Sequence, residues 1–415
     1  MNILRPSYHI TPKQGWINDP NGFVWFNGRY HIYCQHNPHD TKWGPMHWLH
    51  FISEDLIDFE EVGISLKPDQ EYDKELGCFS GSAIEIDGKL YVLYTGCSNG
   101  KQTQCLAVSN NGHTFEKSIH NPVLAEKDLP EGYMIADFRD PKVFKKNGLY
   151  HVLLACRHKD GYSSILLFSG IDLLNLKFKS VLKSFYSCQE GGMVECPDII
   201  FDGDRCALLY SLQKPLREGE KFQNRFPVAY TVGRLDLAKG TFDEEGNEHE
   251  LDNEFVCYAT QSLQKEDKNY LVYWQSSWDI EDCPTVKEGY VGQLSLVKEA
   301  RIEGDRIKLD FLPSSKRQSI VVEISSDQAS LSLRNVDIQI SKPDKRIEIR
   351  LHGSDDLRYF HLNDVNKINI DYVYDNSCVE LRFQGGEAFA SLLDFSQEDS
   401  EEVIIKTKGC KIINP

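Results

Sequence analysis

The sequence lacks the features that would assign the chain to a membrane or to an oxidising compartment. No run of about 18 apolar residues, the length that spans a bilayer, occurs in its 415 residues. The first residues contain no apolar core of a secretory signal, and the 12 cysteines are scattered singly with no CxxC pair. We therefore expect a cytoplasmic protein without a membrane partner, whose cysteines are buried thiols.

Positive charge is also scarce. Lys and Arg number 46 against 63 Asp and Glu, which gives a formal net charge of -17. A field of this sign repels the phosphates of nucleic acids, so we expect no nucleic-acid partner. Hydrophobic residues make up 40% and charged residues 26%, which is typical of a folded globular chain.

A repeat of hairpin turns runs through the first three hundred residues. Asn-Gly or Asp-Gly stands between β-rich runs at 27–28, 87–88, 147–148 and 202–203, at intervals of 60, 60 and 55 residues. Such dipeptides between alternating runs are the strongest short-range signal for a β-hairpin. A fifth, weaker copy ends in the run 271–274, after what we interpret as a longer charged turn.

A polar cluster precedes each hairpin, and one residue of each cluster marks the same phase of the repeat. The spacings between these five marker residues are 61, 60, 55 and 63. Turn formation alone does not explain why carboxylates recur at this phase. Five such units predict a five-bladed β-propeller over residues 1–297, in which the starts of all inner strands meet at one end of the channel. The marker residues are Asp19, Ser80, Asp140, Glu195 and Tyr258.

The pattern changes after residue 298 to short, closely spaced alternating strands. This pattern predicts a β-sandwich over residues 298–415, so the whole chain is expected to be all-β with little helix. No cluster of candidate catalytic residues occurs in this part of the chain. The predicted strands are 320–324, 331–340, 347–351, 368–374, 379–383 and 403–406.

Three of the marker residues are carboxylates: Asp19, Asp140 and Glu195, each followed by Pro within two residues. Glycoside cleavage needs one ionised carboxylate and one that holds a proton, so their environments must separate their pKa values. We expect the neighbouring Arg139 to keep Asp140 ionised. The rival carboxylates Asp137 and Glu190 lack the following Pro. Aromatic residues near the clusters can be sugar-binding walls or core; they are Trp16, Trp25, Trp43, Trp48, Phe79 and Trp274.

Four short motifs carry a resemblance to a known family. They are Trp-Ile-Asn-Asp-Pro-Asn-Gly at 16–22, Phe-Ser-Gly-Ser at 79–82, Phe-Arg-Asp-Pro at 138–141 and Glu-Cys-Pro-Asp at 195–198. In order and spacing they resemble the signature blocks of glycoside hydrolase family 32, which includes invertases, sucrose-6-phosphate hydrolases and fructanases. The resemblance runs from residue 8 to residue 261 and implies a five-bladed propeller followed by a β-sandwich.

The resemblance also implies roles for individual residues. Asp19 is similar to the nucleophile that forms a covalent fructosyl-enzyme, Asp140 to the transition-state stabiliser, and Glu195 to the general acid and base. The residues that resemble the substrate-binding set of the family are Asn18, Gln35, Trp43, Phe79, Ser80, Arg139 and Trp274.

Three positions depart from the family pattern. Leu49 and Phe51 stand where the family usually has Gly and Ala, and Phe59 replaces a Trp. We expect these positions to lie near the leaving-group side of the site, which leaves the preferred leaving group open.

The predicted function is that of a retaining β-fructofuranosidase, which hydrolyses the terminal fructosyl bond of sucrose, sucrose 6-phosphate or short fructo-oligosaccharides. A small sugar is the only expected partner, and no cofactor is expected. The alternatives are a fructosyltransferase of the same family and a non-catalytic sugar-binding propeller. An inverting pentose hydrolase on a similar propeller is disfavoured by the Asn-Asp-Pro-Asn-Gly and Glu-Cys-Pro motifs. The oligomeric state is left open.

Histidines are frequent between residues 31 and 50, which raises the alternative of a metal site. No two of them form an HExxH motif. We therefore expect no metal ligand among them.

Overall fold

The computed structural model describes residues 4–189, 191–253, 255–313, 316–396 and 405–414. Within these ranges the chain is all-β, as expected, and the helical segments are two short 3-10 turns, Glu126–Asp128 and Pro284–Glu288. No helix in the described ranges has the length and apolar character needed to cross a membrane. All 12 cysteines are free thiols, and ten of them are buried, in agreement with the sequence prediction.

Five sheets occupy residues 15–311, and in each the strands that follow one another along the chain pair antiparallel. The first sheet contains β1 (Gly15–Phe26), β2 (Arg29–Asn37), β3 (His47–Ser53) and β4 (Phe59–Leu66). The second contains β5 (Gly77–Ile86), β6 (Lys89–Ser98), β7 (Lys101–Ser109) and β8 (Glu116–Lys117). The third contains β9 (Tyr133–Lys146), β10 (Leu149–His158), β11 (Ser163–Gly170) and β12 (Lys177–Phe185).

The fourth and fifth sheets complete this part of the chain. The fourth contains β13 (Val194–Asp202), β14 (Arg205–Leu212), β15 (Val228–Asp236) and β16 (Thr241–Glu250). The fifth contains β17 (Tyr258–Lys265), β18 (Lys268–Trp274), β20 (Lys298–Glu303) and β21 (Arg306–Phe311), while the short strand β19 (Tyr290–Val291) pairs in parallel with β1.

The first strands of the five sheets contact one another in a closed ring. β1 contacts β5, β5 contacts β9, β9 contacts β13, β13 contacts β17, and β17 contacts β1. Apolar clusters fill the spaces between neighbouring sheets, for example between the first and the fifth. The ring therefore brings equivalent positions of the five inner strands close together.

Each inner strand is interrupted by a register shift beside its marker residue. A bulge of this kind increases the local twist and re-aims a side chain. Asp140 and Cys196 both have a positive φ, 63° and 46°, inside their shifts. The five shifts lie at 17–20, 78–81, 139–142, 195–198 and 258–260.

Most of the predicted turns have the expected form. The fourth turn lies one residue further on than predicted, at 203–204, because Asp202 pairs with Arg205. The fifth is not a longer turn, since Glu266 and Asp267 alone connect their two strands. The predicted turns at 27–28, 87–88 and 147–148 are two-residue turns in which both residues have a positive φ.

The remaining ten strands form two five-stranded sheets. Buried residues of both sheets form one apolar cluster, so the two sheets pack against each other. One sheet contains β22 (Gln318–Ile324), β27 (Lys367–Asp375), β28 (Cys378–Phe383), β29 (Ala388–Leu393) and β31 (Cys410–Asn414). The other contains β23 (Gln328–Leu333), β24 (Val336–Ser341), β25 (Arg346–Leu351), β26 (Arg358–His361) and β30 (Ile405–Lys408).

One predicted strand of this region differs from the structure, and another lies partly outside the described residues. The single strand predicted over 331–340 is wrong, because Arg334 has a φ of 54° and the chain turns there between β23 and β24. The apolar residues change phase at this point, from Leu333 to Val336, which is the signal for the turn. Of the strand predicted over 403–406, residues 403 and 404 lie outside the described residues.

The predicted domain boundary between 297 and 298 divides the fifth sheet. β20 and β21 follow that boundary and yet pair with β18 and with each other. The long connection between β18 and β20 interrupts the repeat, which is why the sequence pattern ended too early. The sheet ends at Phe311, and the first strand of the C-terminal sheets begins at Gln318.

The three departures from the family pattern lie in the core. Leu49 is 3% exposed and Phe51 is 2% exposed, both in the apolar cluster between the first and fifth sheets, and Phe59 packs against that cluster. Leu49 and Phe51 therefore present almost no surface to a bound sugar, and the expectation that the three positions lie near the leaving-group side stays a prediction. Their size is a matter of packing between sheets.

A buried ionic cluster joins the N-terminal segment to both parts of the fold. His9 contacts Asp375 through Nδ1 at 2.8 Å and Glu380 through Nε2 at 3.1 Å, and Lys298 lies 2.8 Å from Glu380. The carboxylate of Asp375 also accepts hydrogen bonds from the backbone N–H groups of residues 7–9. The segment that leads into β1 is thus tied to the C-terminal sheets.

Candidate active site

Asp19 lies in the bulge of β1, where three neighbours hold its carboxylate. Ser80 donates a hydrogen bond to Oδ2 at 2.6 Å, and the amide of Asn18 donates to Oδ1 at 2.9 Å. The Sγ of Cys196 lies 3.6 Å from Oδ2. Burial raises the pKa of Asp19, the hydrogen bonds from Ser80 and Asn18 lower it in part, and the charge of Glu195 raises it further.

Asp140 lies in the bulge of β9 and approaches the same sulfur atom. Its Oδ2 accepts a hydrogen bond from the backbone N–H of Cys196 at 2.9 Å and lies 3.6 Å from Cys196 Sγ. Burial raises the pKa of Asp140; the charge of Arg139 opposes this rise, whereas the charges of Glu195 and Asp19 add to it. One side chain from β13 thus bridges the carboxylates of β1 and β9.

Glu195 is held from two sides. Arg139 donates from Nε at 3.0 Å and from Nη2 at 2.8 Å to Oε1, and the hydroxyl of Tyr258 donates to Oε2 at 2.5 Å. The Nε of Arg139 lies 3.9 Å from Asp140. Burial raises the pKa of Asp140 and the charge of Arg139 only opposes this rise, so the expectation that Arg139 keeps Asp140 ionised is not supported; the guanidinium directs its hydrogen bonds to Glu195.

The five marker residues thus belong to one connected site. Ser80 contacts Asp19, Tyr258 contacts Glu195, and Cys196 connects Asp19 with Asp140. Burial and the charge of Glu195 both raise the pKa values of Asp19 and Asp140, which favours keeping a proton within the set. Such an arrangement can supply both an ionised and a protonated carboxyl group to a bound molecule.

Arg139 is itself braced by further charged groups. Asp137 accepts from Arg139 Nη1 at 3.1 Å and from Arg157 Nε at 2.9 Å. Arg157 also donates to the backbone carbonyl oxygens of Gly191 and Gly192, which precede β13. Asp137, considered a rival carboxylate from the sequence, therefore positions Arg139, and the other rival, Glu190, lies outside the described residues.

The predicted binding residues divide into those at the rim and those below the site. Trp43 is 41% exposed, and its ring lies edge-on to Phe79 with centroids 6.0 Å apart. Gln35 is 2% exposed, and its amide donates to the carbonyl oxygen of Cys78 at 3.0 Å. Asn18 and Ser80 lie at the site itself, on Asp19.

Trp274 does not face the site opening. Its exposed fraction is 0%, and it packs with Trp16, Cys196 and Tyr258 in one apolar cluster. The expectation that Trp274 forms part of the substrate-binding wall is therefore wrong, since no surface of it is accessible. It supports two residues of the site, Cys196 and Tyr258, from beneath.

Two other tryptophans considered as walls also lie elsewhere. Trp25 pairs with Tyr30 beside the turn at 27–28, at the end of β1 away from Asp19. Trp48 is 0% exposed, and its indole donates to the carbonyl oxygen of Phe79 at 3.1 Å. Both are part of the packing of the first sheet.

Sequence reasoning missed several residues of the site. Cys196 belongs to the motif at 195–198 and Tyr258 is a marker residue, so the sequence pattern pointed to both. Neither was predicted to be a site residue. Trp278 stacks on Trp16 with centroids 6.1 Å apart at 23°. Neither Trp278 nor Arg157 had any pattern in the sequence that could have identified it.

The histidines between 31 and 50 do not gather around the carboxylates. His31 Nδ1 lies 2.9 Å from His50 Nε2, with the two rings stacked, and His36 contacts the carbonyl oxygen of Trp16. In the part of the chain that the structure describes, no three His, Cys, Asp or Glu side chains are grouped to hold a metal ion.

Comparison with known proteins connects this geometry to a family. Residues 9–313 match the family model described as "Glycosyl hydrolases family 32 N-terminal domain". A sucrose-6-phosphate hydrolase of Escherichia coli is 37% identical over 315 residues, which cover 72% of this chain and 62% of that protein. A raffinose invertase of Escherichia coli is 30% identical, with coverage of 97% of this chain and 92% of that protein.

A solved structure has the same overall arrangement. The sucrose-6-phosphate hydrolase from Lactobacillus gasseri superposes with a TM-score of 0.88 at 26% identity, covering 99% of this chain and 92% of that chain. The similarity therefore extends beyond residues 9–313 to the C-terminal sheets.

Proposed function

Because the chain belongs to glycoside hydrolase family 32, we propose that it is a retaining β-fructofuranosidase that hydrolyses the terminal fructosyl bond of sucrose, sucrose 6-phosphate or short fructo-oligosaccharides. The observation that carries the proposal is the connected set of Asp19, Asp140 and Glu195, each with different hydrogen-bond donors. The names of the relatives, a sucrose-6-phosphate hydrolase and a raffinose invertase, support a fructosyl bond as the target.

In the first step of the proposed mechanism, the carboxylate of Asp19 attacks the anomeric carbon of the fructosyl unit. A bond forms between this carbon and the carboxylate while the glycosidic bond breaks, and Glu195 transfers its proton to the leaving oxygen. Ser80 and Asn18 hold the attacking carboxylate in one orientation, since each donates to a different oxygen of Asp19.

In the second step, water replaces the leaving sugar. Glu195 removes a proton from this water, which attacks the fructosyl-enzyme and regenerates Asp19. Asp140 binds fructose hydroxyls and stabilises the positive charge that develops on the ring in both steps. The backbone N–H of Cys196 positions Asp140 for this role.

We further propose that the chain is a five-bladed β-propeller followed by a β-sandwich and that it is located in the cytoplasm. The closed ring of inner strands supports five propeller blades, and the cluster shared by the two C-terminal sheets supports a β-sandwich. We divide the chain between these units after residue 311. Free, mostly buried cysteines support a reducing compartment, which we take to be the cytoplasm.

The test follows by NMR the fructose and the leaving sugar released from each substrate, together with the anomer of fructose formed first. The leaving sugar is glucose from sucrose, glucose 6-phosphate from sucrose 6-phosphate, and sucrose from kestose. We expect equal release of fructose and leaving sugar from sucrose, and fructose that appears first with the configuration of the substrate. The ratio of kcat/KM among the three substrates identifies the preferred leaving group. Fructose release far below glucose release favours the transferase, inversion contradicts the role of Asp19, and no turnover favours a non-catalytic sugar-binding protein.

A further inference from the structure

Four aromatic rings form a continuous row at one end of the third sheet. The ring of Tyr133 lies edge-on to His158 with centroids 5.1 Å apart, and His158 stacks on Tyr162 at 4.5 Å and 15°. Tyr162 in turn contacts Tyr186 at 4.9 Å. We refer to Tyr133, His158, Tyr162 and Tyr186 as the aromatic row.

The row lies at the end of the sheet nearer to the carboxylates. Along β10, Ala155 pairs with Arg139, and the strand continues for three residues to His158 but for six in the other direction. Three residues of a strand span about 10 Å. His158 therefore lies about 10 Å along the strand from the level of Arg139. From His158 the row continues along the sheet edge through Tyr162 to Tyr186.

The exposed end of the row is also connected to the strand that carries Glu195. Phe185, which precedes Tyr186, pairs with Ser163, and the hydroxyl of Ser163 accepts a hydrogen bond from the backbone N–H of Val194 at 2.9 Å. This path limits the separation between the Cα atoms of Tyr186 and Glu195 to about 20 Å. A leaving group of two sugar units can extend from Glu195 toward a side chain within this range.

Tyr186 has the properties of a sugar-stacking residue. It is 75% exposed, which is unusual for an aromatic side chain, and one side of its ring rests on Tyr162. The contact with the aromatic row orders this tyrosine before any ligand binds, so little further entropy is lost when a sugar packs on its open face.

We propose that Tyr186, supported by the aromatic row, binds the second sugar unit of the leaving group. This inference rests on the proposed function, because the second unit is counted from the fructosyl bond whose leaving oxygen Glu195 protonates. The ligand is a leaving disaccharide that offers an apolar ring face, either the glucose-fructose part of kestose or the galactose-glucose part of raffinose. Binding of this second unit by Tyr186 extends the specificity of the site to trisaccharides.

The test measures kcat/KM on sucrose, kestose and raffinose for the wild type, Tyr186→Ala, Tyr186→Phe and Ile171→Ala. Ile171 is a matched control, because it is 74% exposed and lies at the opposite end of the same sheet. We expect Tyr186→Ala to lower kcat/KM about 3- to 10-fold on a trisaccharide, through KM, with less than a twofold change on sucrose. Tyr186→Phe, which keeps the ring face, and Ile171→Ala should resemble the wild type.

The outcomes separate the two proposals. A loss on kestose, on raffinose or on both, without a loss on sucrose, supports the binding role; the second unit bound is then glucose for kestose and galactose for raffinose. An equal loss on all three sugars, no loss on either trisaccharide, or a wild type that cleaves sucrose alone overturns the role of Tyr186 and leaves the proposed function intact. A wild type that cleaves none of the three overturns both.

Discussion

The buried contact of His9 with Asp375 and Glu380 predicts a defined pH dependence of stability. All three side chains are almost completely enclosed, with exposed fractions of 0% for His9 and Glu380 and 2% for Asp375. Burial lowers the pKa of His9, but the hydrogen bonds and charges of the two carboxylates outweigh this effect and raise it from 6.5 to about 8. His9 is therefore charged in the folded protein at neutral pH.

The size of the pH effect on stability follows from the difference between the pKa of His9 in the unfolded and in the folded state. A group whose pKa is higher in the folded state stabilises the fold fully below its unfolded value, and this contribution is lost as pH rises through the folded value. For His9 the window runs from 6.5 to about 8. The contribution at the acid side of this window is about 2 kcal/mol. Burial raises the pKa values of Asp375 and Glu380, but His9 at Asp375, and Lys298 with His9 at Glu380, outweigh it and lower both, so the contact also weakens when these groups are protonated in acid.

The assay compares the wild type with His9→Gln by urea unfolding at about pH 6 and at about pH 9, on either side of the titration of His9. The variant should lose more stability at the lower pH, and the two losses should differ by about 2 kcal/mol. His361→Gln is the control, because His361 pairs with Glu220 at the surface and its side chain is 43% exposed. Its loss should be small at both pH values. Equal losses for His9→Gln at the two pH values would refute a charged His9.

Two further predictions concern the carboxylates. Asp19→Asn should reduce kcat by several powers of ten with an unchanged circular dichroism spectrum, and a variant that keeps more than about a tenth of wild-type kcat would contradict the role of nucleophile. Glu195→Gln should lose less rate on a fructoside with an activated leaving group than on sucrose, because an activated leaving group needs less protonation. An equal loss of rate on both substrates would rule out the role of general acid.

The ring of five sheets could be predicted because its signals are local. An Asn-Gly or Asp-Gly turn and the alternation beside it need only a few neighbouring residues, and their recurrence at about 60 residues reports the repeat directly. The end of the fifth sheet could not be predicted in this way. Its strands β18 and β20 pair across a connection of more than twenty residues, and pairing over such a distance leaves no periodic trace in the sequence.

The members of the site could be predicted better than their contacts. Asp19, Asp140 and Glu195 were found from their phase in the repeat, and the structure brings them together. Whether an aromatic residue faces a ligand or the core depends on the face of the strand from which it projects. At Trp274 this face turns inward, and sequence alone could not decide it because the strand pairs with β17 across a register shift.

The bulges explain how two adjacent side chains, Arg139 and Asp140, both reach the site. In a regular strand, adjacent side chains point to opposite faces, so Arg139 and Asp140 could not both reach one site. The positive φ of Asp140 breaks this alternation and lets both side chains enter the site, each toward β13. Arg139 then meets Glu195, and Asp140 meets the backbone of Cys196. Because all five inner strands carry such a shift beside a marker residue, the convergence of the site depends on the bulges as much as on the residue types that occupy them.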